Sequence, residues 1–382
     1  METFATRNVI IGAGAVGSAA AYHLAKRGES VVLLEQFTIG HDRGSSHGLA
    51  RITRHSYPDV PHASLMIDAF RGWRELEADA SIPLYVRTGG VSISPPGVDY
   101  VANVAACLSE IGVPHRRLTG RELRRALPAF TLPDDHEAVF EPDAGLLAAG
   151  RIVQVQVELA RDRGADVRAD CPVRWIDLDG PRPVVVCDAF QIEAERLIVA
   201  AGAWVGKLLP PFEDLLRPTR QQVLYFRPED APAFAIGRFP VWIYKGEAED
   251  EAFYGMPDFQ GAGVKAARHF GPLTDPNTPS STIDLNYVET VRSFLRGQIP
   301  ALAAAAVVNT EVCLYTISPD EAFLVGPLKG RDDVLLASPC SGHGFKFSNL
   351  VGRALADLAA TGTTTLPIGP WSPDRAFPSL AE

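Results

Sequence analysis

The sequence predicts an α/β fold in two parts, and three observations predict it. First, the β-branched run Val9-Ile10-Ile11 enters a glycine turn, Gly12-Ala13-Gly14-Ala15-Val16-Gly17. A small-residue stretch through Lys26 and a second apolar run follow within about 30 residues, the size of a βαβ unit. Second, short apolar runs of the same texture return late in the chain, at residues 197–200 and 334–337. Third, from about Arg217 to Thr316, Pro and aromatic residues rise and strand-like pieces alternate with acidic turns. The 382 residues also exceed a single domain of about 100–200 residues.

Taken in order, residues 7–11 form a strand buried on both faces. The helix after the turn runs to Lys26 and stops at Gly28, which can take the left-handed conformation that ends a helix. Residues 30–34 return as a strand closing on Glu35. In such a unit the first glycine lets the chain turn, the second lets backbone N–H groups approach a pyrophosphate, and the third lets helix pack on strand. The helix N-terminus adds partial positive charge toward the phosphates. Glu35, eighteen positions past Gly17, can accept hydrogen bonds from a ribose and disfavours an extra 2′-phosphate. The unit is therefore a Rossmann-type dinucleotide site, of a kind that serves FAD and NAD alike.

Residues 88–94 are expected as a strand, 99–111 as a helix capped by Asp99 and stopped by Gly112, and 122–126 as a second helix. Residues 185–186, 197–200, 222–226, 241–244 and 334–337 complete the expected strands, and 348–360 forms a terminal helix.

Composition narrows the function. An apolar share of 46% places the chain among globular proteins. The net charge of -10 argues against nucleic acid or an anionic membrane as a partner. Cys107, Cys171, Cys187, Cys313 and Cys340 show neither CxxC nor Cys/His ligand spacing. No disulfide framework and no metal site are expected, and a reducing, cytoplasmic compartment fits. The apolar stretch at residues 9–25 is broken by Gly12, Gly14 and Gly17, which a signal peptide does not need. No other stretch approaches the ~18 apolar residues that span a bilayer.

The segment Gly44-Ser45-Ser46-His47-Gly48-Leu49-Ala50-Arg51-Ile52-Thr53-Arg54-His55 is, by residue type, either a solvated basic turn or a site where two arginines meet. The second case needs a helical backbone to bring positions three apart together. This segment resembles the monomeric sarcosine oxidase and N-methyltryptophan oxidase family of FAD amine oxidases. So do Glu311-Val312-Cys313-Leu314-Tyr315-Thr316 with Pro319-Asp320-Glu321, and Ser341-Gly342-His343-Gly344-Phe345-Lys346-Phe347. Gly261-Ala262-Gly263-Val264-Lys265 with His269 is similar to the same family's lysine segment. The four matches run in the family's order along nearly the whole chain.

The resemblance implies a glutathione-reductase-like FAD-binding domain, discontinuous over residues 1–85, 145–215 and 310–382. It implies a β-rich α+β substrate domain over 86–144 and 216–309. Cys313 matches the cysteine joined to the flavin by a thioether, a reasonable role for a thiolate nucleophile. Lys265 matches the lysine that activates oxygen, where a cation would stabilise charge that develops only during reaction. Arg51 matches a position beside the flavin ring, where positive charge favours the anionic reduced form. Arg54 and Lys346 match the pair that holds the substrate carboxylate, the one through two parallel N–H donors and the other as a point charge.

His269, Tyr254, Tyr315 and His343 match pocket-lining positions, while by residue type each is equally an ordinary core aromatic or a satisfied histidine. The first three are assigned to catalysis and His343 to substrate binding. Cofactor-facing positions are then Gly12, Gly14, Ala15, Val16 and Gly17, with Glu35 and Gln36. Ser45, Ser46 and Arg51 follow, then Val173, Gly202 and Trp204, and finally Gly342, Gly344, Phe345 and Lys346.

The sequence departs from the family at Ala50, where relatives tend to carry a hydroxyl. It departs again at Pro240-Val241-Trp242-Ile243-Tyr244, where Trp242 and Tyr244 either stack on a substrate or fill the core; the core is expected. The implied reaction is oxidation of a secondary or tertiary, N-methyl or cyclic, α-amino acid by oxygen. It gives an imine, then aldehyde plus amine, and hydrogen peroxide, with the enzyme acting as a monomer. The competing readings are an FAD dehydrogenase that passes electrons to a quinone or carrier protein, and a non-catalytic nucleotide-binding module.

Overall fold

A computed structural model describes residues 2–377. The first strand, Glu2–Ile11, pairs in parallel with Val31–Leu34 on one side and Phe190–Val199 on the other. Asp166–Arg168 and Arg331–Ser338 extend the parallel set at its two ends. Antiparallel pieces Val173–Asp177, Val184–Cys187 and Leu324–Leu328 complete an eight-stranded sheet. Val9, Ile10, Leu33, Leu197 and Leu335 are almost wholly buried, as expected for strands covered on both faces.

The helix Ala15–Lys26 packs against this sheet, and two others pack against it in turn. Gly352 of the helix Ser348–Thr361 lets the terminal helix approach so closely that a Cβ there would stand 2.4 Å from the Ala19 Cβ. On the other flank Ser18 Oγ donates to Gln156 Oε1 at 2.8 Å, tying in Ala149–Asp162. Gly28 has φ +77° and ends the helix as expected.

The second sheet also has eight strands. Its order is Ala306–Ile317, Arg217–Arg227, Val264–Arg268, Ala252–Met256, Val241–Lys245, Gly90–Ser94, Glu137–Glu141 and Arg116–Thr119. Neighbours are antiparallel except for Val241–Lys245 with Gly90–Ser94. One face carries Leu224, Phe226, Trp242, Tyr244 and Ala266 into a core with the helix Leu285–Gln298. The period-2 alternation of a strand then turns Val223, Ile243, Lys245, Tyr254 and Lys265 to the opposite face, toward the first sheet.

Several expectations need amendment. The boundary drawn at residue 310 falls inside the strand Ala306–Ile317, which pairs continuously with Arg217–Arg227, so Cys313 is carried by the second sheet. Asp99 does precede the helix Tyr100–Glu110, but its own backbone is helical and its side chain makes no capping bond. The capping box sits one helix later, where Thr119 and Glu122 hold each other's backbone N–H groups at the start of Gly120–Ala126. The structure adds two helices beyond those expected, the 21-residue Val60–Ala80 and Ala149–Asp162. Among the described residues no helix is long and apolar enough to cross a membrane.

Candidate functional site

A continuous cavity of about 770 Å³ runs between the two sheets, from the glycine turn to Lys346. At its first end lie Gly12, Gly14, Ala15 and Val16, with Glu35 and Gln36 at the close of the second strand. Glu35 is buried, and its carboxylate accepts from Ala13 N (2.8 Å) and Phe37 N (3.1 Å), so the same group that faces the cavity also fixes the turn. Ala15 N donates to Ser46 Oγ (3.0 Å), and Ser45 Oγ donates to Leu314 O (2.5 Å). Val173, Gly202 and Trp204 line the same stretch.

Gly17 is the exception. It does not border the cavity, because it faces the first strand, where a Cβ would stand 1.8 Å from Gly12 O. Its contribution is the close packing of the helix against the turn and first strand.

Where the cavity passes between the sheets it is lined by Arg51, Lys265, Cys313 and Glu311. Arg51 donates to Ala50 O and Ser45 O, both at 3.0 Å. Lys265 lies on Val264–Arg268 beside Tyr225, whose hydroxyl donates to Glu311 Oε2 at 2.9 Å. Burial, reinforced by Arg51, pushes the Lys265 ammonium down to about 8, against the opposing charge of Glu311. Burial pushes the Cys313 thiol up, with Arg51 and Lys265 pulling the other way. Ala50 is buried in a cluster with Ala144, Leu146, Val241 and Met256.

The two arginines do not meet at one point. Residues Arg51–Thr53 form a strand that pairs with Gly145–Leu147, so the helical backbone required for convergence is absent. Arg51 lies with Lys265 and Cys313, whereas Arg54 lies over the Tyr57 ring, 4.5 Å from its centroid, with Lys346 beyond. Lys346 belongs to the single turn Phe345–Phe347 and donates to Tyr57 Oη (3.0 Å) and His343 O (2.8 Å). Burial, then the Arg54 charge, holds its ammonium well below the ordinary lysine range. Arg54 Nε and Nη1 are buried without any protein partner, and so is His47 Nδ1. An unpaired buried guanidinium is costly unless an anion completes it.

Tyr315 Oη and His269 Nδ1 are 3.2 Å apart, and Tyr254 meets the His269 ring edge-on at 6.0 Å. Burial, helped by Lys245, Lys346 and Arg54, pushes His269 down to about 3, so its imidazole is neutral. His343 sits between Tyr57 Oη (3.2 Å) and Glu321 O (3.3 Å), and burial likewise lowers it well below its ordinary value. Gly342 has φ +77°, and a Cβ there would meet His269 and Tyr315 at 2.5 Å; its bare backbone leaves these rings their place. Gly344 and Phe345 complete this wall.

Trp242 and Tyr244 face the other way and pack on Phe294, as expected for core residues. Their neighbours Ile243 and Lys245 line the cavity instead. Lys245, Tyr57 and Glu311 were given no role from sequence. Strand alternation from Trp242 signals Lys245, while nothing local signals Tyr57, which follows the strand in irregular chain.

The cavity fits FAD on its own features: a glycine turn at a helix N-terminus, a buried acid beside it, and the buried, unpartnered Nδ1 of His47 on its lining. Residues 7–358 match the family described as FAD dependent oxidoreductase. Over 378 residues the chain is 33% identical to the monomeric sarcosine oxidase of Bacillus sp. (strain NS-129), covering 96% of each chain. It is 31% identical to the peroxisomal sarcosine oxidase of Homo sapiens, covering 98% of this chain and 97% of that one. It is 29% identical to the N-methyl-L-tryptophan oxidase of Salmonella arizonae, covering 96% and 98%. In fold it is similar to NikD, an unusual amino acid oxidase of nikkomycin biosynthesis (TM-score 0.85, 23% identity, 100% of both chains). It is similar also to the L-proline dehydrogenase of P. horikoshii (TM-score 0.85, 22% identity, 98% of both chains). The chain belongs to the FAD-dependent oxidoreductase family, in the group that holds the monomeric sarcosine oxidases and N-methyl-L-tryptophan oxidases.

Proposed function

We propose that this protein oxidises N-substituted α-amino acids, N-methyl or cyclic, with oxygen as acceptor, giving an imine and hydrogen peroxide. The observation that carries this reading is Arg54, whose buried Nε and Nη1 lack a partner while Lys346 stands beside it. A substrate carboxylate supplies what both cations lack. FAD, when bound, would supply the two-electron redox chemistry that links amine oxidation to oxygen.

The chain's own residues bind, orient and bias. Gly12, Gly14, Ala15, Val16 and Glu35 would hold the dinucleotide, and Cys313 would carry it through a thioether. Arg54 and Lys346 fix the carboxylate, which sets the amine against the wall made by Tyr254, Tyr315 and His269. His269 is too weak a base to take an ammonium proton in the neutral range. The amine therefore reacts as the free base, a state the cations around it favour. Lys265 places positive charge where reduced oxygen species form. The enzyme acts as a cytoplasmic monomer.

The test is a panel of sarcosine, N-methyltryptophan, pipecolate and proline given to the purified yellow protein under air. Peroxide from an N-substituted amino acid, absent with the amine lacking its carboxylate, is the expected result. Dye reduction without peroxide would replace the oxidase by a dehydrogenase, and a colourless, inert protein would overturn the reading.

A further inference from the structure

The carboxylate end of the cavity holds one cation more than a single carboxylate uses. Lys245 closes the strand Val241–Lys245 and lines the cavity together with Arg54 and Lys346. Its register partner is Ala252, whose small side chain also lines the cavity and offers it no polar group. Lys245 forms no hydrogen bond or ion pair among the described residues, unlike Lys26 or Lys207, which rest on Asp79 and Glu213.

Burial lowers the Lys245 ammonium; of the charges that reach it, Glu321 is the strongest and attracts it, Arg54 repels it and Glu249 attracts it, both acids from beyond ion-pair distance. Glu321 is exposed at the rim, and Asp59, the other acid lining this end, is engaged by His62 at 2.7 Å. The Lys245 field acts on the His269 imidazole ahead of those of Lys346 and Arg54, so its charge reaches the middle of the pocket. A neutral N-methyl amino acid would bring one carboxylate to three cations and leave the half-buried Lys245 without an anion of its own in the closed pocket.

We propose that Lys245 receives a second carboxylate of the substrate, so that the enzyme selects N-substituted amino acids that are dianions over small neutral ones. This rests on the oxidase reading and names its substrate class. Lys245 stands two residues along the sheet from Ile243, which pairs with Tyr254, a step of about 6–7 Å. The second carboxylate therefore lies several bonds from the reacting amine, at the end of an acidic side chain or of an acidic N-substituent.

The test uses the FAD-loaded full chain and follows both anaerobic flavin reduction and peroxide. N-methyl-L-glutamate is paired with isosteric N-methyl-L-glutamine, and iminodiacetate with its monoamide, so that the two positions of the second carboxylate are separated. We expect kcat/KM for at least one acid to exceed that of its amide by about tenfold to a hundredfold, the range for one charge-assisted hydrogen bond. Lys245→Met brings that ratio close to one, and Lys245→Arg restores it. Bound-flavin absorbance shows that each variant is folded, and the wild-type ratio stands without any variant. Equal turnover of acid and amide by the wild-type enzyme, or a ratio unmoved in Lys245→Met, overturns the inference and leaves the oxidase reading intact. No reduction by any amine overturns both.

Discussion

Lys265 Nζ lies 5.8 Å from the centroid of the Tyr225 ring, on the face of the second sheet that also presents Cys313. Burial and Arg51 lower its pKa to about 8, and Glu311 and Cys313 are the groups that oppose them. The ammonium is thus present below that pH and lost above it. Reoxidation of the reduced enzyme by oxygen should slow as pH rises through about 8. Lys265→Met should slow reoxidation by about 10²–10³-fold and flatten this profile, with reduction by amine changed far less. Stopped-flow measurements of the two half-reactions check this, and equal slowing of both would refute it.

Cys313 is buried on the strand Ala306–Ile317 and borders the cavity. Acid precipitation should leave flavin on the wild-type polypeptide and release it from Cys313→Ala. Absorbance of the supernatant distinguishes the cases; flavin retained by the variant would sink the thioether.

Arg54 has two roles that pull in opposite directions. Its unpartnered nitrogens destabilise the substrate-free enzyme by about 1–3 kcal/mol, yet they are what a carboxylate needs. Arg54→Met should therefore melt at a higher temperature than wild type, while kcat/KM falls about a hundredfold or more. A variant that is both less stable and equally active would contradict this assignment.

Gly17 acts through packing alone, with Gly12 O where a Cβ would go. Gly17→Ala should cost about 1–3 kcal/mol through overpacking and leave much of the purified protein without flavin. Thermal unfolding and the flavin-to-protein absorbance ratio measure the two effects.

The parts legible in sequence were those governed by neighbours along the chain. The turn from Gly12 to Gly17 and the acid Glu35 were readable because each residue's task is set within one βαβ unit. The helix Val60–Ala80 carried a local signal, Asp59 capping His62 N with Pro61 in the first turn. Arg51 and Arg54 could not be placed, because whether they converge depends on a strand partner almost a hundred residues away, Gly145–Leu147. Lys245 stands three positions past Trp242 and next to Tyr244, and only the placing of those two in the core turns it toward the cavity.

The first strand has a temporal consequence. One edge of Glu2–Ile11 pairs with Val31–Leu34 almost at once, but the other waits for Phe190–Val199, and the strand after that ends at Ser338. At about 5–20 residues per second of translation, the nascent chain carries an open, strongly apolar edge for on the order of ten seconds or more. Assembly on the ribosome is thus a period of exposure to self-association, and residual loss of product during synthesis should track translation speed more than the melting temperature of the finished enzyme.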